Sequence, residues 1–280
     1  MQAFATQALV TTHSPTIASA CSPTDLLIVR NDNGSLSGVP LLREPLTNST
    51  PNAIRQLLLG DRPQLVDALM HEHVLAPEGK SDFLWFSRLA RILEITSNRH
   101  PAGVDFAVKI GVVPTHGSIG QTSEFLAARH PHVACLVDGD AEGYRHADQL
   151  KGLTHAISLI VSWPKDWTIE NVIVWILEAD PDVLQDSLLR EAGVPSTMEE
   201  LTSAFAVTGG QARLKSNYLA HDALADALAT SDPCLARANT LLSDMVKILT
   251  SGGSGAKYFQ RDDAGSTTTS IVWNFHPTGG

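Results

Sequence analysis

Two short stretches of this chain carry residue types that could do chemistry together: Glu78-Gly79-Lys80-Ser81-Asp82 and Asp138-Gly139-Asp140. Each follows an apolar run, His73-Val74-Leu75-Ala76 before the first and Val133-Ala134-Cys135-Leu136-Val137 before the second, and each precedes a helix-like segment. If both runs are strands of one parallel sheet, their C-terminal ends bring four carboxylates into one small space. Carboxylates crowded in that way raise one another's pKa unless a cation intervenes. Hard divalent ions with oxygen ligands answer that need, and the chemistry they suggest is metal-assisted phosphoryl transfer. An Asp-x-Asp by itself recurs about once in a chain of this size at average composition, so its position after a strand carries the signal. The bland alternative is a pair of solvated acidic turns.

The elements that must position these acids read as follows. Residues 1–45 are β-rich, with strand-like runs at 7–12, 26–30 and 36–42 and a turn at Asn31-Asp32-Asn33-Gly34. A helical period runs over 51–70, divided by Gly60 and Pro63. From residue 71 the pattern alternates: strand 73–77, helix 81–95, strand 106–113, helix 119–130, strand 133–137, helix 143–151, strand 156–161. Such alternation predicts an α/β fold with a parallel sheet flanked by helices. Helices are then expected at 168–178, 182–192, 197–206, 213–229 and 234–250, followed by a flexible Ser251-Gly252-Gly253-Ser254-Gly255 linker and a strand within 267–275.

At 280 residues and 43% hydrophobic content the chain can bury one large core or two modest ones. A formal charge of -10 excludes a global electrostatic attraction to nucleic acid, so any contact with DNA must be local and assisted by cations. Cys21, Cys135 and Cys234 form no zinc-like spacing. No basic-then-apolar leader and no membrane-length apolar run is visible, which gives the expectation of a soluble, cytoplasmic protein with no membrane partner.

The order of strand, Glu, βα unit, strand and DxD resembles the Toprim domain of topoisomerases, bacterial primases and certain nucleases, over about residues 71–165. That resemblance implies a Rossmann-like sheet and places the family's acids at Glu78, Asp82, Asp138 and Asp140. Leu9-Val10-Thr11-Thr12-His13-Ser14-Pro15 looks like the last strand and switch histidine of an ABC-type ATPase, as found in OLD-family (overcoming lysogenization defect) nucleases. No Gly-x-x-x-x-Gly-Lys-Ser/Thr loop precedes it, so the chain resembles the C-terminal part of such a nuclease, with His13 unable to support ATP hydrolysis alone.

The resemblance divides the chain into an ATPase end and β segment (1–45), a helical connector (46–70), the Toprim domain (71–165), an added helical domain (166–250) and a linker with a C-terminal strand (251–280). It implies a Glu on the helix after the fourth strand, matched by Glu170, and a Lys from the helical region, matched by Lys215. Thr168 would cap the Glu170 helix, whose first turn also favours an acid on dipole grounds alone. Lys215 would neutralise charge at the reacting phosphate or protonate the leaving oxygen, its alternative being a surface lysine. His116 ends the second strand unit on the same sheet edge, with a turn role equally open, and Arg88, Arg91 and Arg99 read as solvent-facing.

The expected function is metal-dependent cleavage of DNA with two Mg²⁺ or Mn²⁺ ions held among Glu78, Asp82, Asp138, Asp140 and Glu170. The expected partners are DNA, an ATPase domain and a second copy of the chain through the helices at 51–70. The alternative is a non-catalytic metal-binding or dimerisation module that regulates a partner ATPase. Strand passage and priming are weaker, since Tyr144, Tyr218 and Tyr258 lie in no DNA-gate domain.

Overall fold

Successive residues of a strand face opposite sides of a sheet, and the strands here distribute their side chains accordingly into two cores. In the computed structural model, which describes residues 9–32, 34–96, 98–155, 157–206 and 214–278, the chain is an α/β protein. Among the described residues there are twelve α-helices and eight strands. The strands are β1 (Leu27–Asp32), β2 (Ser35–Pro40), β3 (His73–Pro77), β4 (Ile110–Val112), β5 (Val133–Val137), β6 (Leu159–Ser162), β7 (Phe259–Asp262) and β8 (Ile271–Phe275). β1 and β2 form a separate antiparallel hairpin. The other six form one sheet in the order β4-β3-β5-β6-β8-β7, parallel except for β7.

One face of the sheet presents Leu75, Ala134, Leu136, Val161, Trp273 and Phe275. It packs against α4 (Lys80–Ile95), α5 (Ala102–Lys109), α8 (Ile169–Leu177), α11 (Tyr218–Ala229) and α12 (Asp232–Thr250). The other face presents Val74, Ala76, Val133, Cys135, Val137, Ile160 and Val272 to α2 (Asn52–Leu59), α3 (Arg62–Leu69), α6 (Ile119–Ala127) and α7 (Ala141–Lys151). β3 and β5 are buried at every position, as expected of parallel strands covered on both sides. α1 (Pro15–Ser19), α9 (Ser187–Glu191) and α10 (Met198–Ala206) complete the set. No helix among the described residues is long and apolar enough to cross a membrane.

Several expectations change at this level. The segment expected as a strand over 106–113 is α5 up to Lys109 and only then the short strand β4. Its apolar residues suit a strand locally, but Phe106 stacks on Phe86 of α4 at 5.6 Å between ring centroids, and α5 lies against α4 and α12. Packing between two helices overrides propensity there. Within the run expected as a strand at 7–12, residues 7 and 8 lie outside the described residues. Residues 9–12 form no strand, and His13 is exposed just ahead of α1, whose cap is Ser14.

At the other end, Ser251 to Gly255 is a tight turn rather than a free linker. Lys247 Nζ donates to Gly255 O at 3.0 Å and Gly253 N to Lys247 O at 3.0 Å. That turn leads into β7, which the sequence pattern does not announce, and β8 then inserts between β6 and β7.

Candidate functional site

The chain runs from β3 outward to β4 and then returns to β5 on the other side of β3, so the strand order reverses between β3 and β5. In open α/β sheets such a switch point leaves a crevice at the carboxyl ends of the strands. Glu78 follows β3 directly, and Asp138 follows β5. The two strands are hydrogen-bonded neighbours, and the backbone N–H of Asp138 donates to Glu78 Oε2 at 3.1 Å. Asp82 lies in the first turn of α4, buried to 3% exposure, and its Oδ1 accepts the indole N–H of Trp163 at 3.1 Å. Glu170 lies in the first turn of α8, buried to 4%, and its Oε2 accepts the Thr168 hydroxyl at 2.6 Å.

These carboxylates lie close enough to raise one another's pKa. Burial, then the carboxylates of Glu170 and Glu78, pushes Asp82 up to about 7, against the indole hydrogen bond. Burial, then Asp82, Glu78, Glu170 and Asp140, pushes Asp138 up to about 9. All five acids therefore share one local field. Asp140 is the outlying member: it is exposed and spends Oδ1 on the N–H of Gly143 at 2.8 Å as the N-cap of α7.

Two glycines make this compactness possible. A Cβ on Gly139 would fall 1.6 Å from Pro164 O, and one on Gly143 would fall 2.0 Å from Asp138 O. The backbone of the DxD turn is thereby pressed against the segment after β6. Gly139 N donates to Trp167 O and Asp166 N to Gly139 O, each at 2.8 Å. Asp166 adopts a left-handed φ of 63°, the strained corner of this loop.

Lys215 sits in the turn before α11 rather than inside a helix, and its Nζ is 3.9 Å from Glu170 Oε2. Its turn is held by His221, whose Nε2 lies 3.1 Å from Leu214 O while its ring stacks on Trp85 of α4. Arg88 departs from its expected solvent-facing role: it binds Asp222 at 2.7 Å, with its side chain 16% exposed. Arg91 is exposed, and Arg99 pairs with Asp232 at 2.6 Å on the surface. His116 has a left-handed φ of 51° and contacts Asp61 at 2.5 Å, so it serves the loop after β4 and is not drawn among the acids.

Two residues that contact the acids, and one that holds the Lys215 turn, are not announced by the sequence pattern. His146 Nδ1 lies 2.9 Å from Glu78 Oε1, without the alignment of a hydrogen bond. It lies in the second turn of α7, six residues after Asp140 at the helix N-cap, the one signal that could have found it. Trp163 orients Asp82, and His221 anchors the Lys215 turn; nothing in the spacing of either announces these roles.

Whether a cation suits this place can be judged from the side chains. Among the described residues no group of three or more His, Cys, Asp or Glu side chains stands as a ready-made metal cage. The donor set is nevertheless of hard oxygens, and Asp138 Oδ1 is buried with no hydrogen-bond partner. A buried carboxylate oxygen without a donor is costly unless a proton or a cation compensates it. The chemistry of the set fits a hard divalent ion. Comparisons with protein-family models, curated proteins and solved structures give no match to this chain.

Proposed function

We propose that the chain is a divalent-metal-dependent endonuclease that hydrolyses phosphodiesters of DNA at a Toprim-type site, and that it resembles the C-terminal part of OLD-family ATPase-nucleases. The observation that carries this reading is the unpartnered, buried Asp138 Oδ1 amid Glu78, Asp82 and Glu170 at the switch point of the sheet. Glu78, Asp82, Asp138, Asp140 and Glu170 would hold two Mg²⁺ or Mn²⁺ ions. Bound there, such ions supply Lewis acidity toward the phosphate and a nucleophilic water at neutral pH.

The chain's own residues have separable tasks. The Trp163 indole and the Thr168 hydroxyl fix the carboxylates of Asp82 and Glu170, limiting the rearrangement needed on binding. His146 stands beside Glu78, with Nδ1 2.9 Å from its Oε1. Lys215 stands beside Glu170 and would offer its ammonium to the phosphate or to the departing 3′ oxygen, which takes up a proton as the P–O bond breaks.

The test is cleavage of supercoiled plasmid by the purified chain with Mg²⁺, Mn²⁺ or EDTA, alongside Glu78→Ala and Asp138→Ala. Metal-dependent nicking lost in both variants is expected. Full activity in Asp138→Ala would remove the site assignment. A second reading has one observation in its favour: the Asp138–Glu78 and Trp163–Asp82 hydrogen bonds also suit carboxyls that merely tie the sheet edge together. On that reading the chain is a non-catalytic module of a partner ATPase, and no divalent ion would produce cleavage.

A further inference from the structure

Beside the Asp138–Asp140 turn lies a cleft of about 330 Å³ between α7, the Trp163–Lys165 segment after β6 and the C-terminal end of β8. We propose that this cleft receives one unpaired nucleotide of the DNA strand next to the phosphodiester held at the acids, its base on Tyr144 and its phosphate on Lys165. The inference rests on the nuclease reading and deepens it by naming the form of the substrate.

Both walls of the cleft are tied to the acidic turn. Asp140 caps α7 and Tyr144 follows four residues later, on the same side of the helix. Tyr144 is exposed to 47% and lines the cleft. Lys165 also lines the cleft, from the loop joined to Gly139 by the two backbone hydrogen bonds of 2.8 Å. A strand whose phosphate reaches Asp138 and Asp140 therefore meets a cleft lined by both an aromatic ring and an ammonium.

The charges inside the cleft sort the same way. Asp148 is engaged by Lys151 at 3.0 Å. Asp262 accepts the Gly265 N–H at 2.9 Å and the Asn274 amide at 3.4 Å. Lys165 forms no ion pair among the described residues and is left for an anion. His276 and Asn274 line the same cleft.

The size is that of a small-ligand site. A ring beside a free cation is the combination that binds single strands without sequence preference, since every base has a stacking face and every nucleotide a phosphate. A base inside a duplex is withheld by its own stack and must be extruded before it can meet Tyr144. The cleft thus favours a single strand, a frayed end or a gap over intact duplex.

The test is fluorescence anisotropy of a labelled single-stranded oligonucleotide and of its duplex against the full chain in Ca²⁺, for wild type, Tyr144→Ala, Tyr144→Phe and Lys165→Ala. Tyr144→Ala should weaken single-strand binding about 10-fold, with Tyr144→Phe within about twofold of wild type. Lys165→Ala should weaken it and flatten the salt dependence by about one phosphate contact. Duplex affinity should be the same in all four proteins.

Wild-type single-strand affinity in Tyr144→Ala would overturn the cleft assignment while leaving the nuclease reading in place. Complete displacement of the strand by an equal concentration of nucleoside monophosphate would overturn the strand as occupant in favour of a free nucleotide. If the wild type binds neither form of DNA, the nuclease reading fails and the cleft assignment with it.

Discussion

A buried carboxylate oxygen has opposite meanings at Asp244 and at Asp138. Asp244 is fully buried and accepts from Lys247 Nζ at 3.0 Å, Lys257 N at 2.7 Å and Tyr258 N at 2.8 Å, so it staples α12 to the approach to β7. Asp138 has an oxygen that nothing satisfies, among like-charged neighbours. A protein retains that arrangement at a cost in stability when a ligand repays it. Asp138→Asn should therefore raise the stability of the metal-free chain by about 0.5–2 kcal/mol. Mn²⁺ should raise the melting temperature of the wild type, and the variant should lose that rise. Thermal unfolding with EDTA and with Mn²⁺ checks both, and an undiminished Mn²⁺ effect in the variant would exclude Asp138 as a ligand.

At the scale of elements, the site depends on how closely the β5–α7 turn approaches the β6–α8 loop. Gly139→Ala places a methyl group inside Pro164 O, against backbone that is itself fixed by two hydrogen bonds. Relief requires the two loops to part, which should cost about 1–3 kcal/mol in urea unfolding and, on the proposed nuclease function, abolish divalent-dependent cleavage. An alanine variant with wild-type stability would mean that the loops do not pack as described. The order of these elements was legible because β3, β5, α4 and α7 each follow a clear period, and because the acids stand directly after the strands. β4 lies wholly within the strand expected at 106–113, whereas α5 was not legible, since Phe106 and Val108 have strand-like character in isolation and acquire a helix only between α4 and α12. β7 escaped because its exposed Gln260 and Arg261 dilute the apolar signal of a short edge strand.

For the whole molecule, pH acts on groups buried far apart. His130 is 6% exposed, with Nε2 3.1 Å from His71 O and Nδ1 accepting His132 N at 3.2 Å. Burial holds it neutral, down to about 4 from the ordinary 6.5. The unfolded chain takes up the proton first as pH falls, so this contribution is complete above about pH 6.5 and is lost on the way to about pH 4. The loss is at most about 3 kcal/mol. His130→Gln keeps a donor for His71 O but cannot titrate. The wild-type minus variant unfolding free energy should therefore decline from pH 7 to pH 4.5, and parallel profiles would show that His130 is not held neutral.

What the sequence determined by itself is local: apolar runs ending in acids, an alternating βα order, a Thr-capped helix bearing Glu170, and the caps and glycines that let each turn form. These depend on neighbours within a few residues, and the chain order records them. Tertiary structure decided the rest. It placed β5 beside β3 and β8 beside β6, brought Glu170 and Lys215 to within 3.9 Å across 45 positions of chain, and aimed Trp163 at Asp82. It also separated Asp244, satisfied, from Asp138, unsatisfied. The physical reason is that burial and hydrogen-bond satisfaction depend on which surfaces meet, and strands adjacent in a sheet need not be adjacent in sequence.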